Sequence, residues 1–178
     1  MKAWQITRTG TLNDNSVPLD RTDLPDPEPG RGEVRIAVSG CGVCHTELDE
    51  IEGRTEPPDL PVIPGHQIVG KIDETGDDVS LHEVGDRVGV GWIYSSCGIC
   101  EQCLTGRENL CERFTATGRD INGGYAGYVT VPEASAYPLP EAFTDEEAAP
   151  LLCAGSIGYR SLRLTRLRDG NILALTGF

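Results

Sequence analysis

The segment CGICEQCLTGRENLC, residues 97–111, carries four cysteines with the spacing C-x2-C-x2-C-x7-C. Two-residue gaps bring successive thiolates to one side of a tight loop, and the fourth cysteine returns after a turn that contains Gly106. Four thiolates around one Zn²⁺ form a closed tetrahedral site with no open position, so the role of such a site is structural. The spacing therefore predicts a structural zinc site with the ligands Cys97, Cys100, Cys103 and Cys111.

An iron–sulfur cluster is the main rival interpretation, because C-x2-C-x2-C also occurs in ferredoxins. In the ferredoxin motif the fourth cysteine follows after three residues and precedes a proline, whereas Cys111 follows after seven residues and precedes Glu112. Residues 1–5 contain no apolar h-region, so no secretion signal is recognised and a reducing, cytoplasmic location is expected. Disulfides are disfavoured there. Structural zinc is the preferred interpretation, with a cluster or disulfides as the alternatives.

The composition restricts the class of protein further. The 178 residues suffice for one well-buried domain. The net charge of −13 argues against nucleic acid as a partner, because its phosphates would be repelled. The longest apolar runs, such as residues 172–175, are far shorter than the ~20 residues of a membrane span. Only Lys2 and Lys71 are lysines among 15 basic residues, which fits a halophile-like surface or an ordinary acidic cytosolic protein equally well.

Short alternating segments between glycine and proline turns predict a protein made mainly of β-strands. Many short strands of this kind indicate a partly open β-barrel. A loop rich in Asn, Asp and Pro follows the first predicted strand and extends through Arg31. The predicted strands comprise residues 1–9, 33–39, 67–73, 86–90 and 125–131.

Two helices are also expected. The first is a short helix over residues 45–51, with Gly53 as its stop. Thr144 is a good N-cap for a second helix, because the acidic residues after it are favoured by the helix dipole. This helix continues past Pro150 through Leu164 with a kink or a break.

The last residues differ in character from the rest. A turn at residues 169–170 leads to a predicted buried strand at residues 171–176, which ends in Gly177-Phe178. A strand that ends in glycine is how a dinucleotide-binding βα unit begins. We therefore expect a first domain over residues 1–168 and the start of a truncated, nucleotide-binding Rossmann domain over residues 169–178.

Three further residues of metal-binding types, Cys44, His66 and Cys153, lie far apart in the sequence. Taken singly, each has an ordinary explanation. A cysteine in an apolar segment is usually part of the core, and a histidine after a turn is usually on the surface. Spacing alone does not join these residues. Cys41 is interpreted as a small apolar residue with no assigned role.

Resemblance to a known family does join them. Six or more blocks in the same order, covering essentially the whole chain, resemble the N-terminal catalytic domain of zinc-dependent medium-chain alcohol dehydrogenases. That domain has a GroES-like fold, so the resemblance implies a GroES-like, partly open β-barrel with short helices. The blocks are residues 42–46 (GVCHT), 64–66 (PGH), 85–88 (GDRV), the quartet with residues 106–111 (GRENLC), 123–126 (GGYA) and 149–155 (APLLCAG).

The resemblance also implies a catalytic zinc, which in this family is held by two cysteines and one histidine with the fourth position open. Carried over, the ligands are Cys44, His66 and Cys153, which brings the expected content to two Zn²⁺ per chain. Thr46 matches the hydroxyl residue that accepts the substrate proton, with a local helix cap as the alternative.

Two more positions are implied by the same resemblance. His45 matches a residue that contacts the cofactor pyrophosphate. Trp92 matches an aromatic wall of the substrate pocket, with an ordinary core tryptophan as the alternative.

Three residues depart from the family pattern around the catalytic metal. Gln67 stands where many members have a glutamate, so we expect zinc to be retained and ligand exchange to be altered. Glu47 replaces the usual aspartate that supports the histidine ligand, and its longer side chain could still reach. Asp49 occupies the position of a histidine in the proton relay, so proton release is expected to go through water or the cofactor ribose, or to be slower.

The resemblance implies that the parent protein oxidises a primary or secondary alcohol, or reduces an aldehyde or ketone, with NAD or NADP. A homodimer or homotetramer is expected for that parent. The phosphate-binding loop would follow residue 178, so we expect the chain alone to bind zinc without turning over alcohol. A non-catalytic, zinc-stabilised GroES-like binding module is the alternative function.

Overall fold

A computed structural model describes residues 1–13 and 16–176 of the chain. Its secondary structure is mainly β, with a few short helices. The strands are β1 (Lys2–Gln5), β2 (Asp20–Asp23), β3 (Glu33–Cys41), β4 (Ile68–Thr75), β5 (Arg87–Val90), β6 (Ile93–Ser95), β7 (Thr115–Ala116), β8 (Tyr128–Pro132) and β9 (Tyr137–Pro138).

The helices are short, apart from the last. No helix within the described ranges is long and apolar enough to cross a membrane. The α-helices are α1 (His45–Ile51), α2 (Glu101–Leu104), α3 (Asp145–Ala148) and α4 (Ala154–Thr165), and 3-10 turns occupy Glu108–Leu110, Glu133–Ser135 and Ala149–Leu152.

A five-stranded antiparallel sheet with the order β8-β3-β4-β5-β9 forms the body of the molecule. The pairing of β3 with β4 shifts register twice, and such bulges bend and twist a strand, which helps the sheet to curve around its core. Two-stranded ribbons, β1-β2 and β6-β7, complete the β-structure of the described chain. Mostly β-branched side chains fill the core: Val34, Ile36, Ile68, Ile72, Val88, Val90, Val129 and Val131.

The predicted strands at residues 33–39, 67–73 and 86–90 are confirmed within a few residues. The strand predicted at residues 125–131 begins later, at Tyr128. The first strand is shorter than predicted because Ile6 leaves the ribbon and its N–H donates to the Val62 carbonyl at 2.8 Å. The loop predicted through Arg31 is wrong over β2, because pairing with β1 supplies hydrogen bonds that a polar composition does not reveal.

The helix predictions hold well. Helix α1 has the predicted bounds, and Thr144 caps α3 through a capping box, in which the Glu147 N–H donates to the Thr144 hydroxyl at 3.3 Å. The predicted break in the second helix falls at Cys153, whose φ of −127° and ψ of −81° separate the 3-10 turn from α4. Because the backbone turns at this residue, the Cys153 side chain leaves the helix axis and approaches His66.

The prediction of a buried strand at residues 171–176 is wrong. These residues have no strand pairing, and their side chains are exposed. A strand needs a neighbour to satisfy its N–H and C=O groups, and residues 1–13 and 16–170 provide none for this segment. Gly177 and Phe178, the predicted end of the strand, lie outside the described residues. The domain division at residue 169 stays a prediction.

Glycine packing places the turn that carries His66. Gly65 has a φ of +100°, which lies in the left-handed region that favours glycine. The Gly123 N–H donates to the Ile63 carbonyl at 2.6 Å, and the Gly124 N–H donates to the Gly65 carbonyl at 2.9 Å. The two backbones lie so close that a Cβ on Gly123 would overlap the Gly65 carbonyl oxygen.

We predict that Gly123→Ala destabilises the chain by roughly 2 kcal/mol or more, because neither of the two backbone segments can yield without breaking its hydrogen bonds. Denaturant unfolding monitored by circular dichroism measures the effect. Gly40→Ala is the matched control, because no heavy atom lies within 4 Å of its added Cβ. Equal unfolding midpoints for the two variants would contradict the prediction.

Candidate metal centres and substrate cavity

The four cysteines of residues 97–111 converge on one point. Their sulfur atoms all lie within 4.8 Å of one another, and Cys103 Sγ is 3.8 Å from Cys97 Sγ and 3.5 Å from Cys100 Sγ. Tetrahedral zinc with bonds of ~2.3 Å places sulfur ligands about 3.8 Å apart, so this geometry fits a metal with four thiolate ligands. Gly98 and Gly106 both have positive φ and make the tight turns that the loop requires.

The backbone of this loop favours the thiolate form that binds metal. The N–H groups of Ile99 and Cys100 donate to the Cys97 sulfur and lower the pKa of this thiol to about 6. The Arg113 guanidinium also lies beside this sulfur and stabilises negative charge there. The Cys97 sulfur is therefore held in a setting that favours its thiolate form.

A second set of donor atoms comes from three separate parts of the chain. Cys44 stands at the N-terminus of α1, His66 follows the Gly65 turn, and Cys153 is the residue at which the last helix breaks. Cys153 Sγ lies 3.3 Å from His66 Nε2 and 3.9 Å from Cys44 Sγ. These separations suit three corners of a tetrahedron around one metal, and the remaining corner is open to a ligand from outside the chain.

Glu47 orients the histidine of this set. The Glu47 Oε1 atom lies 2.8 Å from His66 Nδ1, and Glu47 Oε2 accepts the Cys44 N–H at 2.6 Å. Both side chains are buried, with His66 only 1% exposed. The carboxylate holds Nδ1 away from the donor set and so presents Nε2 to it. The longer side chain of glutamate therefore reaches the histidine, as its position in the sequence suggested.

A cavity of about 480 Å³ opens onto the second donor set. Its lining includes Thr46 and Trp92 beside His66 and Cys153. The Thr46 hydroxyl lies 3.5 Å from Cys44 Sγ. The Trp92 ring meets the His66 ring edge to face, with the centroids 4.9 Å apart and the planes at 79°. The structure thus brings both residues to the donor set, and their roles in catalysis stay predictions.

The remaining sequence-predicted residues lie around this centre rather than in the cavity. His45 does not line it, and its side chain is 75% exposed, with Nε2 3.7 Å from Asp49 Oδ1. Asp49 also accepts a hydrogen bond of 2.5 Å from Arg54. The Gln67 side chain is buried against the backbone of Gly42.

Asn109 is a cavity residue that sequence reasoning missed. It lies in the 3-10 turn of the quartet loop and lines the cavity beside Trp92 and Ile93. Its signal in the sequence is its place in the block of residues 106–111, two residues before Cys111. The quartet loop therefore contributes a polar amide to the same cavity that the second donor set faces.

Glu50 is a second residue that sequence reasoning missed. Its side chain is fully buried, and neither carboxylate oxygen has a hydrogen-bond partner within the described residues. Burial raises the pKa of Glu50 to about 8, and the negative charges of Glu47, Asp120 and Asp49 add to this rise, while Arg119 opposes it.

The fold and the two donor sets define a β-barrel domain with one closed and one open candidate metal centre. Residues 30–141 match the model of the alcohol dehydrogenase GroES-like domain, and the chain belongs to this family.

Relatives in sequence and in structure agree with this family. The chain is 46% identical to a probable alcohol dehydrogenase, AdhA, of Mycobacterium tuberculosis, with 100% of this chain and 52% of the relative covered. It superimposes on the crystal structure of an NAD-dependent alcohol dehydrogenase with a TM-score of 0.86 and 33% identity, covering 96% of this chain and 49% of the other. A thermostable alcohol dehydrogenase from Pyrobaculum aerophilum, solved with cobalt and zinc bound, gives a TM-score of 0.78 and 32% identity, covering 90% and 48%. The chain spans about half the length of the curated relatives it matches.

We predict that Cys44→Ala and Cys97→Ala each remove one metal ion per chain, because each variant deletes one donor from a different set. Elemental analysis of the purified variants measures the metal content. Cys97→Ala should also lower the unfolding midpoint, because the closed site joins the two ends of its loop. Cys41→Ala is the control, since Cys41 belongs to neither set. Full metal content in Cys97→Ala would contradict the assignment of the quartet.

We predict that Glu50→Gln stabilises the chain increasingly as the pH rises from 5 to 8. The folded pKa of about 8 lies above the usual value of 4.5, so between these values the folded state holds a proton that the unfolded state has released. The stability of the wild type therefore falls with pH in this window, and the variant removes this loss. We expect the free energy of unfolding of Glu50→Gln to exceed that of the wild type by roughly 1–3 kcal/mol at pH 8. Urea unfolding at several pH values, with the zinc concentration held constant, measures this difference.

The exposed Glu56, changed to Gln, is the control for this experiment and should show no such trend. If the free energies of unfolding of the wild type and Glu50→Gln differed by the same amount from pH 5 to pH 8, burial would not raise the pKa of Glu50 as described.

Proposed function

We propose that this chain is the catalytic domain of a zinc- and nicotinamide-dependent alcohol dehydrogenase. Its reaction is the oxidation of a primary or secondary alcohol to an aldehyde or ketone, or the reverse. The observation that carries this proposal is the open donor set of Cys44, His66 and Cys153 at the wall of a cavity, with the Thr46 hydroxyl beside it. A domain that used metal only for stability would need the closed quartet and no second, open set.

Two Zn²⁺ ions per chain are proposed, one in each donor set. The residues fit this cation, because thiolate and imidazole are the ligands that zinc prefers and the spacing of the donor atoms suits a tetrahedron. When bound in the open set, zinc supplies Lewis-acid chemistry, which lowers the pKa of a coordinated alcohol toward neutrality.

The side chains around the open set have separate tasks in the proposed reaction. The Thr46 hydroxyl both accepts and donates hydrogen bonds, so it takes the proton of the substrate hydroxyl and passes it outward. Glu47 holds the His66 ring by its Nδ1 atom. Trp92 forms an apolar wall that keeps water away from the reacting carbon.

NAD or NADP is the proposed cofactor, and His45 is proposed to contact its pyrophosphate from the exposed N-terminal end of α1. Residues 169–178 are proposed to lead into the nucleotide-binding domain. The parent protein is proposed to be a cytoplasmic homodimer or homotetramer. Support for the cofactor comes from the NAD-dependent alcohol dehydrogenase that this chain superimposes on.

We predict that the full-length parent protein reduces NAD⁺ or NADP⁺ when an alcohol such as ethanol or benzyl alcohol is added. The increase in absorbance of the reduced nicotinamide measures the rate. His66→Ala should lower this rate at least about 100-fold and reduce the zinc content by one ion per chain, because the open set loses a ligand. No alcohol-dependent reduction by the zinc-replete wild type with either cofactor would refute the proposed function.

We also predict that Thr46→Ala lowers kcat by roughly 100-fold or more at unchanged zinc content, because the variant removes the proton acceptor but no metal ligand. Thr46→Ser is the matched control, since it keeps the hydroxyl and should retain most of the activity. A kcat in Thr46→Ala within about threefold of the wild type would show that the hydroxyl carries no proton in the rate-limiting step.

A further inference from the structure

A cation lies against the outer side of the substrate-pocket tryptophan. The Arg119 guanidinium carbon is 5.6 Å from the centroid of the Trp92 ring and 5.9 Å from the centroid of the Phe114 ring. Guanidinium groups are attracted to the negative faces of aromatic rings at such distances. Arg119 is thus in contact with an aromatic ring that itself contacts the metal ligand His66.

Asp120 holds this guanidinium in a fixed plane. The Arg119 Nε–H donates to Asp120 Oδ1 at 2.8 Å, and Nη2–H donates to Asp120 Oδ2 at 2.9 Å. The same carboxylate accepts the Ala116 N–H at 2.7 Å, which ties it to the backbone of β7. A two-pronged contact of this kind fixes orientation as well as distance.

The backbone of the loop that carries Arg119 is tied to Trp92 as well. The Thr117 N–H donates to the Trp92 carbonyl at 2.9 Å. The loop then closes on itself, since the Gly118 N–H donates to the Ile121 carbonyl at 2.8 Å and the Asp120 N–H donates to the Ala116 carbonyl at 3.0 Å. The backbone therefore holds the two segments that carry Arg119 and Trp92 together, and Asp120 fixes the guanidinium on its side of the contact.

We propose that Arg119 is a positioning residue for substrate selection, which holds the Trp92 ring as a fixed wall of the cavity and thereby limits the size of the alcohol substituent that fits. Arg119 does not line the cavity, so it acts through Trp92 and not by touching the substrate. The part of this inference that concerns substrates rests on the proposed function. The arrangement of Arg119 and Trp92 does not.

The test must separate the positive charge of Arg119 from the planar shape of its guanidinium group, because the charge also acts on the buried Glu50. Arg119→Lys keeps the charge but loses the planar, two-pronged contact, whereas Arg119→Met loses both. Arg35 provides a matched control elsewhere in the fold. It makes the same two-pronged contact with Asp73, at 3.0 and 2.9 Å, and lies 5.1 Å from the Tyr128 ring. Neither Arg35 nor Tyr128 lines the cavity.

The first measurement uses the full-length parent protein with zinc bound. The readout is the ratio of kcat/KM for benzyl alcohol to that for ethanol. We expect Arg119→Met and Arg119→Lys to change this ratio about fivefold or more at unchanged zinc content, because a mobile indole no longer defines the pocket. Arg35→Met should lower the unfolding midpoint and leave the ratio unchanged. A merely structural role for Arg119 would give the same result as Arg35→Met and would overturn the proposal.

A double-mutant cycle tests whether Arg119 acts through the indole. In a Trp92→Ala background, Arg119→Met should produce no further change in the ratio. The same change in both backgrounds would overturn the proposal.

A fluorescence measurement is independent of turnover. The chain has two tryptophans, so Trp4→Phe leaves Trp92 as its only indole. In the chain with this substitution, Arg119→Met should increase acrylamide quenching of Trp92 about twofold or more, and unaltered quenching would overturn the proposal. If the wild type oxidises no alcohol, the proposed function fails and the quenching result alone decides whether Arg119 holds Trp92.

Discussion

The buried Glu47 carboxylate is the contact on which the open metal centre depends. One oxygen accepts the N–H of Cys44 at 2.6 Å, and the other lies 2.8 Å from Nδ1 of His66, so a single side chain links two donors that are 22 positions apart in the sequence (66 − 44). A buried carboxyl group needs polar partners close to its oxygens, and these two contacts supply them. The carboxylate in turn requires the start of α1 and the Gly65 turn to lie close together, which the glycine packing of residues 118–124 against that turn allows. Fold and site thus depend on each other at this point.

The two candidate metal centres are built in different ways, yet the loop of one and the donors of the other both line one cavity. The quartet is local, because its four donors come from one loop of fifteen residues (97–111), so a metal bound there would join the two ends of that loop. The open set is assembled from three distant segments and depends on the barrel. Asn109 connects the two centres, because it belongs to the quartet loop and lines the cavity. The quartet loop therefore lines the cavity through Asn109, and Trp92 lines it as well.

Charge around the open centre is distributed unevenly. Glu47 accepts the Cys44 N–H with one oxygen and lies 2.8 Å from His66 Nδ1 with the other. Glu50, one turn further along α1, is fully buried, has no hydrogen-bond partner on either oxygen in the described chain and has a pKa raised to about 8. A buried carboxyl group without a hydrogen-bond partner destabilises the folded state, so such groups are rare outside functional sites. Arg119 is the positive group that partly offsets it. The same arginine lies 5.6 Å from the centroid of the Trp92 ring.

Short-range pattern was sufficient for the features that need only neighbouring residues. The spacing of Cys97, Cys100, Cys103 and Cys111 implied one closed site, and the capping residue Thr144 and the bounds of α1 followed from local propensity. Resemblance to a family joined Cys44, His66 and Cys153, which no spacing rule connects.

Features that depend on pairing across the fold could not be predicted from the sequence. Strand β2 forms because β1 lies beside it, and residues 171–176 form no strand because the described chain offers them no neighbour. Only the tertiary structure decided that Glu47 reaches His66, that Glu50 is buried and that Arg119 lies over Trp92. These contacts join segments that are distant in the sequence, so they follow from packing and leave no local pattern of residues that predicts them.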